Sequence, residues 1–248
     1  MKKFIALLLM LLLALSAAAP ALAEKQTYRS LYSGEVTTLN YLTTTTTSEF
    51  GLLSNLIDTL VESDRYGQLQ PCLAESWEAS ADGLTWTFRL RHGVQWVDAQ
   101  GNAVAEVTAH DFVTAAEYIL NAQHASGSAK TLYKIILGAK EYYDGTATPK
   151  EGEQPAPKTE WDTVGVKALN DYTLQYTLKN PVAYFLSMVD NQAFMPVYGP
   201  FLTEKGEQFG LATGNDTLLY CGAFILSTYE PQQQRVLTKN PTYWDKDN

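Results

Sequence analysis

The stretch Leu73-Ala74-Glu75-Ser76-Trp77-Glu78, followed after Ala79-Ser80 by Ala81-Asp82-Gly83 and then by Leu84-Thr85-Trp86-Thr87-Phe88-Arg89-Leu90-Arg91, decides how the chain is read. Its second half alternates polar and apolar residues, the period-2 pattern of a half-buried strand. Ala81-Asp82-Gly83 has the composition of a hairpin turn. Trp77, Trp86, Phe88 and, a little further on, Trp96 are expected to pack on one face of a small sheet, with Gly83 and Gly93 in its turns. Arg89 and Arg91 alternate with the apolar positions and point the other way. The stretch is therefore structural and carries no chemistry of its own.

Towards the N-terminus, apolar residues at 52, 53, 56, 57, 60 and 61 predict an amphipathic helix over Phe50–Glu62, with a turn over Asp64–Gly67. Thr27–Thr47 reads as strands with a turn near Ser33-Gly34. Within it, the five β-branched residues Thr43–Thr47 predict a stiff extended segment. Its hydroxyls face a polar cleft, or it is a solvated edge strand; the residues alone leave both open.

Towards the C-terminus, Val94–Val97 reads as a short strand. Thr108 is a good N-cap for a helix to about Ala122, with Asp111 at the third position completing a capping box and Phe112, Ala115, Ala116 and Ile119 on one face. Ser126–Ser128 separates it from a helical segment over Lys130–Tyr143. Asp144–Glu160 reads as an exposed loop. Val164–Ala168 and Thr173–Leu178 are predicted strands. A short helix follows over Tyr184–Val189, helical structure over Phe201–Phe209, and a strand pair over Tyr220–Ser227 and Arg235–Lys239.

The first 23 residues have the make-up of a cleaved export signal: Lys2 and Lys3, an apolar run from Phe4 to Leu15, then Pro20 and Ala21-Leu22-Ala23. The apolar run is shorter than the ~20 residues a membrane span needs. Glu24 follows where a lipoprotein would carry Cys, so no lipid anchor is expected. The 248 residues carry a formal charge of −9, and loss of two lysines with the leader makes it −11. An acidic chain without a basic stripe argues against nucleic acid as a partner. Cys72 and Cys221 are compatible either with a bridge in an oxidising compartment or with two buried thiols.

Catalytic signals are missing. The three histidines, His92, His110 and His124, have no metal-ligand spacing, and no nucleophile elbow or phosphate-binding loop is present. Neither a metal nor a cofactor is expected, nor an enzyme. The 15 tyrosines and 5 tryptophans suit a cleft for a ligand with apolar and polar parts.

The quoted stretch, together with Gly93-Val94, Trp96, Val107–Val113, Gly165–Leu169, Asp171, Thr173, Pro181, Tyr184-Phe185, Gly222-Ala223-Phe224 and Asn240-Pro241-Thr242-Tyr243-Trp244, resembles the family 5 extracellular solute-binding proteins. The resemblance implies an α/β, two-lobed periplasmic-binding architecture of type II, peptide-binding subclass. A first lobe would comprise 24–47 plus 164–248, an extra domain 48–163, and the chain would stop before the second lobe. It implies an exported protein that captures peptides and hands them to the membrane-embedded permease subunits of an ABC importer. A nickel chelate, heme or an oligosaccharide is the alternative cargo, a non-binding remnant the alternative fate, and an exported hydrolase a remoter reading. Carried over position by position, the ligand-binding residues would be Thr45, Thr46 and Thr47, which would grip the peptide backbone, with Tyr133 and Cys221. Cys221 stands where the family pattern favours Asn or another small polar residue. The stretch Val97–Glu106 is longer and less regular than the pattern.

Overall fold

The computed structural model describes residues 27–32 and 34–247. The chain divides into Met1–Ser33 and Gly34–Asn248. In the first unit, residues 27–32 form neither helix nor strand, and the leader expected over 1–23 lies outside the described residues.

The second unit is α/β. Helix α1 (Thr47–Leu53) leads to a hairpin of β1 (Val61–Ser63) and β2 (Leu69–Pro71), closed by Asp64, whose carboxylate accepts the Tyr66 and Gln68 amides. β3 (Ala74–Ala79) and β4 (Thr85–Leu90) form the predicted hairpin, and β5 (Gln95–Val97) pairs with β6 (Ala103–Glu106). Three helices follow: α2 (Ala109–Leu120), α3 (Ala129–Ile135) and α4 (Ala139–Thr146). After an exposed stretch come β7 (Val166–Asn170) and β8 (Thr173–Thr177), then α5 (Phe185–Met188), α6 (Gly199–Lys205) and the hairpin β9 (Phe224–Glu230) and β10 (Gln234–Lys239). The main sheet is antiparallel with order β3-β4-β8-β7. It therefore draws strands from both sides of residue 163.

The apolar pattern of β4 fixes its register. Phe88 sits opposite Trp77 on β3 and Leu174 on β8, and Trp86 opposite Tyr176. Beneath the sheet, Tyr176 meets Phe88, Phe185 and Phe194 at centroid separations of 6.0, 5.7 and 5.6 Å. All four side chains are at most 2 % exposed, and each contributes roughly 1.5–3 kcal/mol by leaving water. Arg89 points outward toward Glu78. Trp96 is buried, but on β5 in a separate two-stranded sheet, so it does not share the face of Trp77, Trp86 and Phe88. The irregular stretch after it closes as a hairpin because the Asp98 carboxylate accepts the Gln100 and Asn102 amides.

Three further expectations fail for identifiable reasons. The strands expected over Thr27–Thr47 do not form in its described part; only an isolated bridge joins Thr38 to Leu211. Local side chains capture the backbone instead: the Thr38 hydroxyl accepts the Asn40 amide, Asn40 Oδ1 the Leu42 amide, and the Thr44 hydroxyl the Thr46 amide. The helix expected over Phe50–Glu62 ends at Leu53. Every apolar position named for it is buried, but the amides of Cys221, Gly222 and Phe224 take the carbonyls of Leu56 and Asn55 and turn the chain into β1. The segment Lys130–Tyr143 is two helices, because Ile136 and Leu137 leave the helical path to bond the strand end at Thr177 and Leu178. The helix capped by Thr108 forms as expected, with the Asp111 carboxylate accepting the Thr108 amide at 2.9 Å.

Candidate functional site

Two places combine exposed polar groups with a rigid support. The first is the segment leading into α1. Thr45, Thr46 and Thr47 are exposed; Thr46 is extended and Thr47 is the first residue of the helix. Among the described residues, neither the amide nor the carbonyl of Thr45 has a hydrogen-bond partner. The residues just before it are tightly held. Thr43 and Thr44 donate their amides to the Asn40 carbonyl, and the Thr44 hydroxyl bonds the carboxylate of Glu49, which is 2 % exposed. Glu49 also accepts from the Thr37 amide and hydroxyl and from the Thr38 amide. Burial works to raise its pKa, but these donors outweigh it and leave the carboxyl below its ordinary value. The result is a short stretch of free backbone on a fixed base, able to hydrogen-bond an extended partner.

The second place is a pocket of about 170 Å³ lined by Ser54, Asp58, Thr59, Glu62, Cys72 and Asp190, among others. Asp58 Oδ2 accepts the Trp244 indole N–H at 2.9 Å. Burial pushes its carboxyl up to about 6, against the lowering effect of bonds from Trp244 and Cys72. Burial also raises Glu62, with the nearby Asp245 adding to it and Arg91 opposing. The Arg91 guanidinium lies 4.0 Å from the Trp244 ring centroid and donates to the Cys72 carbonyl at 2.6 Å. The pocket is acidic, yet among the described residues no three His, Cys, Asp or Glu side chains are placed to hold a metal ion.

The five residues carried over from the family pattern do not form one cluster of contacts. Thr45–Thr47 share the exposed segment. Tyr133, on α3, is half-buried, with its ring against Tyr143 at 5.0 Å and the Lys140 ammonium 5.6 Å from its centroid. Cys221 is 1 % exposed, its amide bonds the Leu56 carbonyl, and burial drives its thiol well above the ordinary range. Cys72 is buried too, and both are free thiols. His92 lies on Tyr172 and His124 on Tyr118, while the exposed His110 faces Asp171. Sequence reasoning missed Ser126, Gly127 and Gln192, which support the Thr43–Thr47 segment, and Asp58, which anchors Trp244. Only the Ser-Gly-Ser composition hinted at the first two.

Oligopeptide-binding protein AmiA of Streptococcus pneumoniae is 38 % identical over 221 residues, covering 89 % of this chain and 32 % of AmiA. The periplasmic oligopeptide-binding protein OppA of Escherichia coli is 33 % identical over 236 residues, covering 94 % of this chain and 40 % of OppA. The crystal structure of the substrate-binding domain of an oligopeptide ABC transporter from Bacillus anthracis superposes with a TM-score of 0.77 at 32 % identity, over 90 % of this chain and 39 % of that one. The chain thus spans between about a third and two fifths of the length of these relatives. Its α/β fold is part of their type II periplasmic-binding, peptide-binding architecture. Residues 68–248 match the model described as bacterial extracellular solute-binding proteins, family 5, middle region, and the chain belongs to that family.

Proposed function

We propose that this chain is part of an extracytoplasmic protein that captures peptides and delivers them to the permease subunits of an ABC importer. The observation that carries the reading is the exposed, unpaired backbone at Thr45, set on a base pinned by Asn40 and Glu49. An extended peptide can add itself there by main-chain hydrogen bonds, which grip any sequence because every residue offers the same N–H and C=O. Thr46 and Thr47 flank that contact. Tyr133 is the family-derived contact from the segment 48–163. Cys221 is buried in the core and offers its thiol to no ligand. In this proposal 24–47 plus 164–248 belong to a first lobe and 48–163 is an extra domain, and closure of the first lobe and a second over the ligand is a hinge motion. The oligopeptide-binding names of the relatives favour peptides over a nickel chelate, heme or an oligosaccharide.

Thermal unfolding of the purified protein with and without a mixture of tri- to pentapeptides tests this. A ligand at one hundred times its dissociation constant stabilises the folded state by about 2.7 kcal/mol, a rise of about 5–10 °C in midpoint for a chain of this size. No shift with any peptide at millimolar concentration refutes the reading.

A further inference from the structure

The carbonyls of Leu42, Thr43 and Thr44 are three in succession, and each is taken by a group from a distant part of the chain. Ser126 Oγ donates to Leu42 O at 2.6 Å, the Gly127 amide donates to Thr43 O at 3.0 Å, and Gln192 Nε2 donates to Thr44 O. The donors are tied to one another: Ser126 Oγ accepts the Ser128 amide, and Gln192 Nε2 lies 3.4 Å from Ser128 Oγ. Ser126, Ser128 and Gln192 are 8, 3 and 6 % exposed. The cradle ends where the free backbone of Thr45 begins.

Two features mark this as more than ordinary packing. A Cβ on Gly127 would lie 2.8 Å from Thr45 Cγ2, 3.2 Å from Thr45 Oγ1 and 3.3 Å from the Thr43 carbonyl oxygen, so the glycine is there for space, and the closest claim on that space is Thr45's. Gln192 Oε1 is buried with no hydrogen-bond partner among the described residues. A buried orphan acceptor is unfavourable; an apolar side chain would avoid it but would lose the bond to Thr44.

We propose that Ser126, Gly127 and Gln192 are positioning residues that hold Leu42–Thr44 so that Thr45 presents its amide and carbonyl in the geometry an incoming peptide strand requires. The inference rests on the peptide-binding reading above. Pairing with an extended ligand rewards a strand that is ordered before binding, because the ordering is then not charged against affinity.

The test uses Gly127→Ala and Gln192→Leu in the full chain. In the unliganded protein, amide exchange at Thr44 and Thr46 is expected to rise at least tenfold in both variants, while exchange at Phe88 in β4 is unchanged. Adding Thr45→Ser to Gly127→Ala removes the Cγ2 atom and is expected to restore protection at Thr46. Affinity for the tri- to pentapeptide mixture is expected to fall at least tenfold in each single variant. Unchanged exchange at Thr44 and Thr46, or faster exchange at Phe88 to the same degree, overturns the positioning role whether or not a ligand is known. Unchanged peptide affinity in variants whose exchange has risen overturns it too. A wild-type chain that binds none of the peptides instead sinks the peptide reading, and this inference with it.

Discussion

Asp111 offers a stability prediction whose sign runs against the usual view of buried, hydrogen-bonded carboxylates. It is 5 % exposed and accepts the Trp96 indole N–H and the Thr108 amide, each at 2.9 Å. Burial nevertheless raises its pKa from an ordinary 3.8 to about 6, outweighing those two donors and the nearby His110. A folded-state pKa above the unfolded value means that the folded chain binds the proton more tightly. The group's contribution is then complete below pH 3.8 and is lost as the pH rises through 6. About two pKa units correspond to about 3 kcal/mol of stability present at pH 3.5 and absent at pH 7. Asp111→Asn keeps an oxygen with two lone pairs for both donors but cannot ionise. The variant is expected to gain about 2.5 kcal/mol on wild type between pH 4 and pH 7. Urea unfolding of both chains at pH 4, 5, 6 and 7 measures this. Any constant cost of fitting the new amide hydrogens cancels in the difference between pH values. Parallel stability curves for the two chains would refute the reasoning: the indole and capping bonds would then fully compensate the buried charge.

Two further outcomes follow from close contacts near the same core. Gly222→Ala would put a Cβ 2.8 Å from Leu56 C and 3.0 Å from Asn55 O and Ile57 N. These are backbone atoms that cannot swing aside, so a loss of about 1–3 kcal/mol is expected in urea unfolding. Trp244→Phe keeps a ring for Arg91 but removes the N–H that Asp58 accepts. A loss of about 1–3 kcal/mol is expected at pH 7, and a smaller one at pH 5, where Asp58 is mostly protonated in the folded chain; an equal loss at both pH values would count against the indole–carboxylate bond.

The parts of the fold legible in the sequence are those where burial alone decides. β4 alternates, and its apolar positions land in the core at the predicted register. α2 carries its own start signal in Thr108 and Asp111 and its own apolar face. Where tertiary hydrogen bonds decide, periodicity misled. The positions 52, 53, 56, 57, 60 and 61 are all buried, yet only the first two belong to α1. An apolar period records which residues face inward. It does not record that Gly222 approaches Leu56 closely enough for the 221–224 segment to take the carbonyls that a longer helix would use.

The site divides along the same line. The exposed threonines were accessible to sequence reasoning through the family pattern, but the extended segment expected over Thr43–Thr47 holds at Thr46 and fails at its ends, where Thr43 lies in a turn and Thr47 opens α1. What supports them was not. Ser126 and Gly127 read as a spacer between helices, and Gln192 as one polar residue in a loop, because their partners lie 84, 84 and 148 residues away. A hydrogen bond from a side chain to a distant carbonyl leaves no periodic trace in either segment, since a carbonyl is present at every position. The same logic explains Cys221. Its place beside Gly222-Ala223-Phe224 suggested a ligand contact, but the backbone of that block is committed to Asn55 and Leu56, which turns the thiol into the core. A surface of exposed main-chain groups, such as the one at Thr45, is encoded mostly in the residues that hold the chain still, and those become visible only once the fold brings them together.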